Sequence, residues 1–265
     1  MKILAVLGGA LLLSAVLLMP GCSDSPTSAD QFGDLRIRLV DSSGDFQQVN
    51  IVVSRVEVHV ADADSAGGWV TVNDIPATYD LLDLRNGVNA VLGDARLAAG
   101  KYTQIRLIIG ASSTVVINDT AYSLEIPSGF QTGLKLNHGF TIESGKLYEL
   151  TLDFDAARSI HQTGAGQYKL NPVIRVQATV TSGTISGIIT PVAARAIIST
   201  VVGTDTLSAA ADSVTGAFML MALPAGVYAV AIEPTDVLYA DTTIANVPVI
   251  AQQNTDLGAI TLRTQ

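Results

Sequence analysis

The sequence predicts an all-β protein made of two antiparallel β-sandwich domains, and three observations lead there. Valine, isoleucine and threonine recur in short alternating runs broken by Gly, Asn, Asp and Pro, a composition of strands and tight turns. Leu147–Asp155 and Leu170–Val176 both alternate at period two, and in the first of them Tyr148, Leu150, Leu152 and Phe154 oppose Glu149, Thr151, Asp153 and Asp155. Two such runs joined by a polar loop form an antiparallel pair with one face in a core. The composition then changes after Ser182, where lysine disappears and the only arginines are Arg195 and Arg263. The chain divides accordingly into a first β domain over 33–181 and a second over 183–265.

With 265 residues, 48% hydrophobic and 15% charged, the chain has enough apolar residues for two cores and too few charges for disorder. Its net charge of −9 repels nucleic acid and anionic headgroups, so neither is expected as a main partner. Cys22 is the single cysteine, which leaves no intramolecular disulfide and no thiolate cluster for structural zinc.

Residues 1–21 read as an export signal: Lys2, an apolar run from Ile3 to Met19, then Pro20 and Gly21 before Cys22. The run is short for a membrane span. Met19-Pro20-Gly21-Cys22 resembles the lipobox of bacterial lipoproteins, departing from its commonest form at Met19 and Pro20 and matching it at Gly21 and Cys22. The resemblance implies acylation of Cys22 and a lipid anchor on a cell-envelope bilayer, and Ser23 beside the cysteine implies the outer membrane. Residues 22–32 form a tether with nothing to bury.

In the first domain, Leu35, Ile37 and Leu39 point inward and Arg36 and Arg38 outward. A second strand, Asn50 to Val60, buries Val52, Val56, Val58 and Val60 and turns Arg55, Glu57 and His59 out. Asp62–Gly68 leads into Trp69–Val72; it begins like a calcium loop, but Ala66 and Asn73 stand where ligands are needed, so a hairpin tip is expected. Tyr79–Leu84 is strand-like and Asn86-Gly87 ends it. Val88, Val91, Leu92 and Ala95 have helical spacing that predicts one short helix near 88–96. Tyr102–Ile109 is a strand with Arg106 outward, Thr114–Asn118 and Ala121–Ile126 form a hairpin across Asn118-Asp119, and Thr132–Leu136 leaves Lys135 out. In the second domain, Gly183–Pro191 opens a strand series, Asp212–Gly216 is a turn, Phe218–Met221 a strand and Leu223-Pro-Ala-Gly-Val-Tyr228 a corner. Leu97-Ala-Ala-Gly-Lys-Tyr102 echoes that corner, each placing Gly at the turn and Tyr at the start of a strand.

Tyr79–Leu84 with Asn86-Gly87, Gly100–Leu107, Pro127–Leu136, Leu152–Asp155 with Arg158-Ser159, and Leu170–Arg175 together resemble the bacterial lipoprotein family catalogued as domain of unknown function 4382, over residues 33–178. The resemblance implies a secreted, membrane-tethered β domain and brings no activity with it. Residues 183–262 resemble the carboxypeptidase regulatory-like domain, which implies a small transthyretin-like sandwich serving as a noncatalytic appendage, spacer or contact surface.

By parity, charges of both signs crowd the non-core side of the first domain's strands. Left to solvent, they form surface ion pairs worth ~0–1 kcal/mol each. Covered by the second domain, the loops or a partner, Asp153, Asp155, Arg158, Arg106 and Lys135 would form a desolvated network that contacts a ligand or locks the fold. Asp153 and Asp155 face the same way along one strand, whereas a glycosidase pair flanks a cleft, so a structural pairing with Arg158 is favoured. His59, His138 and His161 sit at no metal-ligand spacing, and no G-x-S-x-G, H-E-x-x-H, P-loop or dinucleotide fingerprint occurs. No catalytic residue, metal or cofactor is therefore assigned. Trp69, Tyr79, Tyr102, Phe130, Tyr148 and Tyr168 are candidates for a sugar-stacking platform, although strand packing accounts for most; Trp69, near a hairpin tip, stands apart. The expectation is a noncatalytic, lipid-anchored envelope module for binding, adhesion or envelope organisation, with a protein or glycan partner. A carbohydrate- or small-ligand-binding module, and a hydrolase using the Asp153/Asp155 region, are the alternatives.

Overall fold

The computed structural model describes residues 31–41, 46–64, 67–127 and 132–265. The signal over 1–21, Cys22, most of the tether and Phe130 lie outside the described residues. The first domain contains β1 (Phe32–Asp41), β2 (Gln48–Val60), β3 (Trp69–Asn73), β4 (Ala77–Asp80), β5 (Ala90–Ala98), β6 (Gly100–Ile109), β7 (Thr114–Ile117), β8 (Thr120–Glu125), β9 (Leu134–Ile142), β10 (Leu147–Phe154), the one-turn helix α1 (Ala156–Ser159), β11 (Ile160–Gln162), β12 (Tyr168–Leu170) and β13 (Ile174–Ala178). The second contains β14 (Ser182–Thr190), β15 (Ile197–Val202), β16 (Asp205–Ala210), β17 (Ala217–Pro224), β18 (Gly226–Glu233), β19 (Thr242–Val249) and β20 (Asn254–Thr261).

Period-two alternation buries one side of each main strand. The four-stranded sheet β13-β10-β1-β5 packs Leu35, Ile37, Leu150 and Phe154 against Ile51, Val56, Ile105 and Leu107 of a larger sheet, ordered β11-β12-β8-β7-β2-β6-β9 with β3 and β4 also on β2. The second sandwich sets β17-β14-β20 on β16-β15-β18-β19 around Ile185, Ile198, Phe218, Leu220 and Val230. Each such side chain contributes ~1.5–3 kcal/mol on leaving water.

The two sandwiches share one topology. The first strand, β1 or β14, pairs antiparallel with β5 or β17 and parallel with β10 or β20. In the opposite sheet, β2 or β15 lies between β6 or β18 on one side and β3 or β16 on the other, and β9 or β19 follows. The match extends to atoms. Asp34 N donates to Lys146 O at 2.9 Å and Thr184 N to Gln253 O at 3.0 Å. The Tyr102 hydroxyl donates to Ala98 O at 2.9 Å and the Tyr228 hydroxyl to Pro224 O at 2.8 Å. The echoed Leu…Gly-x-Tyr segments are thus one corner used twice, each carrying the chain from one sheet to the other under a tyrosine hydroxyl. Gly33 and Gly183 are equivalent too: a Cβ would lie 2.2 Å from Glu143 O at the first and 2.3 Å from Ile250 O at the second.

Four expectations are corrected. Residues 88–96 hold no helix: β5 is a strand, and a bulge at Leu92 opposite Ile37/Arg38 shifts its parity, so that apolar residues fall at intervals resembling a helical face. Tyr79–Leu84 is strand only to Asp80, whose carboxylate accepts from Leu82 N and starts a 3-10 turn over Leu81–Leu84. Val52 faces outward, because a bulge between Val53 and Arg55 moves the inward positions from Val49, Ile51 and Val53 to Val56 and Val58. The sheets are mixed rather than purely antiparallel, since β1–β10, β8–β12 and β14–β20 pair in parallel. The predicted β10–β13 antiparallel pair and the Asn118-Asp119 hairpin are present.

Candidate functional site

The charged residues that parity placed outward divide between two faces. On the four-stranded sheet they pair across strands: Arg36 with Asp94 at 2.5 Å, Arg38 with Glu149 at 3.0 Å and Arg175 with Asp153 at 2.9 Å. The second domain's β17 lies over β10 and β13 on this face, and Asp153 is 4% exposed. Arg175 Nη2 also donates to Met221 O at 3.4 Å, beside a bulge at which Ala222 adopts φ 54°. Asn86, at φ 53° in its turn, accepts from Met219 N at 3.0 Å. The first domain therefore satisfies backbone groups on the free edge of β17, which joins the two sandwiches through polar contacts.

A cleft of about 340 Å³ opens at this junction, lined by Lys135 and His138 of β9, Asp153, Asp155 and Arg158 around the end of β10, Arg175 of β13, and Asp205 and Thr206 of β16. It gathers four of the five residues singled out from the sequence; Arg106 sits elsewhere. Asp155 accepts from Arg158 N at 2.9 Å as the cap of α1, with its other oxygen 4.0 Å from the Arg158 guanidinium. Burial raises its carboxyl above the usual range, against the lowering pull of those Arg158 contacts. His138 is half-buried here, and burial lowers its pKa. Asp205 arrives from the other domain, a juxtaposition with no local signal.

Behind the cleft lies Asp41, 1% exposed, whose Oδ1 accepts from Ala156 N at 3.0 Å while Oδ2 has no hydrogen-bond partner among the described residues. Burial pushes this carboxyl well above the usual range, and nearby Asp153 and Asp155 push it in the same direction. Sequence reasoning passed it by, although Asp41 is in phase with Leu35, Ile37 and Leu39, an acid at an inward position. Asp153, in β10, and Asp155, just after its end, both line the cleft. Among the described residues no group of three His, Cys, Asp or Glu side chains is placed to hold a metal ion, and no helix is long and apolar enough to cross a membrane.

The second face belongs to the larger sheet. Arg106 Nε donates to Glu57 Oε2 at 2.6 Å, and its guanidinium carbon lies 4.0 Å from the centre of the Trp69 ring. Lys135 Nζ lies 5.6 Å from the same centre, and the His59 ring meets Trp69 edge-on at 4.9 Å. Gly133, at φ 108°, lets the chain pass against Arg106, whose Cγ would be 2.6 Å from any Cβ there. Among the other candidates, Tyr102 and Tyr168 are buried and Tyr79 and Tyr148 are half-buried against the core: Tyr102 stacks on Phe140, Phe140 on Tyr148, and Tyr168 meets the exposed Tyr122. The Asp64 carbonyl oxygen lies 3.1 Å from His59 Nε2, so part of the loop that began like a calcium site is tied to the hairpin it closes.

No curated protein matches the chain. Among solved structures, a type II cohesin–X-module–dockerin complex from Acetivibrio cellulolyticus is 30% identical over 31% of this chain, which spans 58% of that chain, at a TM-score of 0.24. The E269A mutant of shaft pilin SpaA from Lactobacillus rhamnosus GG is 10% identical over 89% of this chain and 97% of that chain, at 0.26. The minor pilin GBS52 of Streptococcus agalactiae is 9% identical over 87% and 96%, at 0.24. At these scores the likenesses decide neither fold nor function. The family model described as domain of unknown function DUF4382 matches residues 32–172, more than half of the chain. This protein belongs to the DUF4382 family.

Proposed function

We propose that this chain is an exported, lipid-anchored, noncatalytic binding module of the bacterial cell envelope, held on the outer membrane through Cys22. The anchor rests on Lys2, the apolar run to Met19 and Gly21-Cys22. The binding role rests on the junction cleft, whose charged walls come from both domains and whose groups are held by packing and pairing before any partner arrives. Asp153 and Asp155 are two residues apart in the chain, one engaged by Arg175 and the other by the first turn of α1, an arrangement that suits holding a partner better than flanking a scissile bond. The second domain, read as a carboxypeptidase regulatory-like module, serves as a buttress that closes the cleft.

Fractionation and mass spectrometry test the anchor: an acylated Cys22 at the mature N-terminus is expected, with Cys22→Ser released from membranes, and an intact Met1 overturns it. For the cleft, the full chain held in detergent, so that the acyl anchor is taken up by micelles, is expected to sediment with detergent-washed cell-envelope material, less so as Arg158→Glu. Equal sedimentation of the variant, or none by the native protein, removes the cleft from the function.

A further inference from the structure

The shared topology supplies an internal control for the outward face of the larger sheet. In the second domain the equivalent strands turn mostly small, neutral side chains outward, among them Thr206, Ser208, Ser199, Ala229 and Ala231, with Glu233 at the far end of β18. The fold is complete there without cations or rings on that face. In the first domain, β3, β2, β6 and β9 instead present Trp69, Arg55, Arg106 and Lys135. Packing of the sandwich does not ask for this row.

Its charge balance is as telling. Glu57 is 5% exposed and engaged by Arg106 at 2.6 Å; Arg55, 3.7 Å from the same carboxylate, keeps its side chain 50% exposed, and Lys135 is open to solvent. The exposed excess is positive on a chain whose net charge is −9. Neighbouring strands lie ~4.8 Å apart, so the row from β3 to β9 extends for about 14 Å. Lys135, at its end, also lines the junction cleft with Arg158. Spaced cations beside a half-buried indole match an extended polyanion with ring-shaped repeat units better than a compact anion.

We propose that this strip binds an acidic polysaccharide, with carboxylates of a uronic acid polymer pairing with Arg55 and Lys135 while a sugar ring packs against Trp69. The inference rests on the envelope-binding reading and gives it a ligand class. Titration calorimetry on the full-length protein in detergent, with polygalacturonate and neutral dextran as probes, tests it. Binding of polygalacturonate alone is expected, weakening as salt rises. The double variant Arg55→Glu/Lys135→Glu should weaken it by about tenfold or more. Trp69→Ala should weaken it as well, and should that variant misfold, the exposed charge reversals, with an unchanged melting profile, carry the test. Equal binding of dextran, no binding of polygalacturonate, indifference to the charge reversal, or preference for vesicles containing phosphatidylglycerol overturns it. Loss of this binding with envelope sedimentation still sensitive to Arg158→Glu would sink the polyuronate assignment and leave the broader reading standing.

Discussion

The two sandwiches have the same strand order, the same tyrosine-covered corner and the same glycine at the start of the first strand, yet they treat charge differently. The second is nearly free of it: residues 182–265 carry two arginines and six carboxylates. The first buries Asp41, Glu57, Asp153 and Asp155, and pairs Arg106 and Arg175 with two of them. The topology therefore needs only alternating apolar residues, two tight glycines and two tyrosines. Buried charge in the first domain is an addition with a cost: pairing meets it at Asp153, where β17 covers the sheet, and at Glu57 beneath Arg106, whereas at Asp41 burial favours the protonated carboxyl.

The largest expected effect breaks the pairing that the second domain lacks. Arg175→Ala leaves Asp153 buried without its cation and should cost about 3 kcal/mol, read by chemical denaturation, and Asp153→Asn should lower the melting temperature sharply. Replacing both partners together by apolar residues should recover most of that loss; a double variant as unstable as Arg175→Ala would contradict the pairing account.

Matched substitutions sharpen the likeness. Tyr102→Phe and Tyr228→Phe each remove one hydroxyl donor to the carbonyl four residues back, and each should cost about 1 kcal/mol. A measurable cost at one corner and none at the other would show that the corners are alike in shape only.

The smallest effect separates the domains by sign. Burial raises the Asp41 carboxyl well above its ordinary value in the folded state, so the native protein holds that proton more tightly than the unfolded chain. Its contribution is fully present below the unfolded value and is lost as pH rises toward the raised folded one. Asp212 in the second domain is lowered from 3.8 by hydrogen bonds from Thr215 N, the Thr215 hydroxyl and Val214 N. Its contribution is present above the unfolded value and is lost as pH falls through the lowered folded one. In thermal melts between about pH 2 and 7, Asp41→Asn should remove a loss on the alkaline side and Asp212→Asn a loss on the acid side. Profiles that change in the same direction would refute the opposition.

Much of this architecture was legible in the residues themselves. Alternation located β1, β6, β10 and the strands around the Phe218–Met221 run, Asn118-Asp119 marked its hairpin, and the echoed Gly-x-Tyr marked both corners. These are properties of a few consecutive residues, because side chains on an extended chain must point to opposite faces in turn. What one chain segment does to another was not legible. Bulges at Leu92 and between Val53 and Arg55 reset the parity by inserting a residue that only the partner strand reveals. Parallel pairing of β1 with β10, the burial of Asp153 beneath β17 and the meeting of Asp205 with Arg158 across a cleft join residues far apart in the chain. Whether a polar face meets water or another sheet is settled by what folds over it, and that choice is made by tertiary packing.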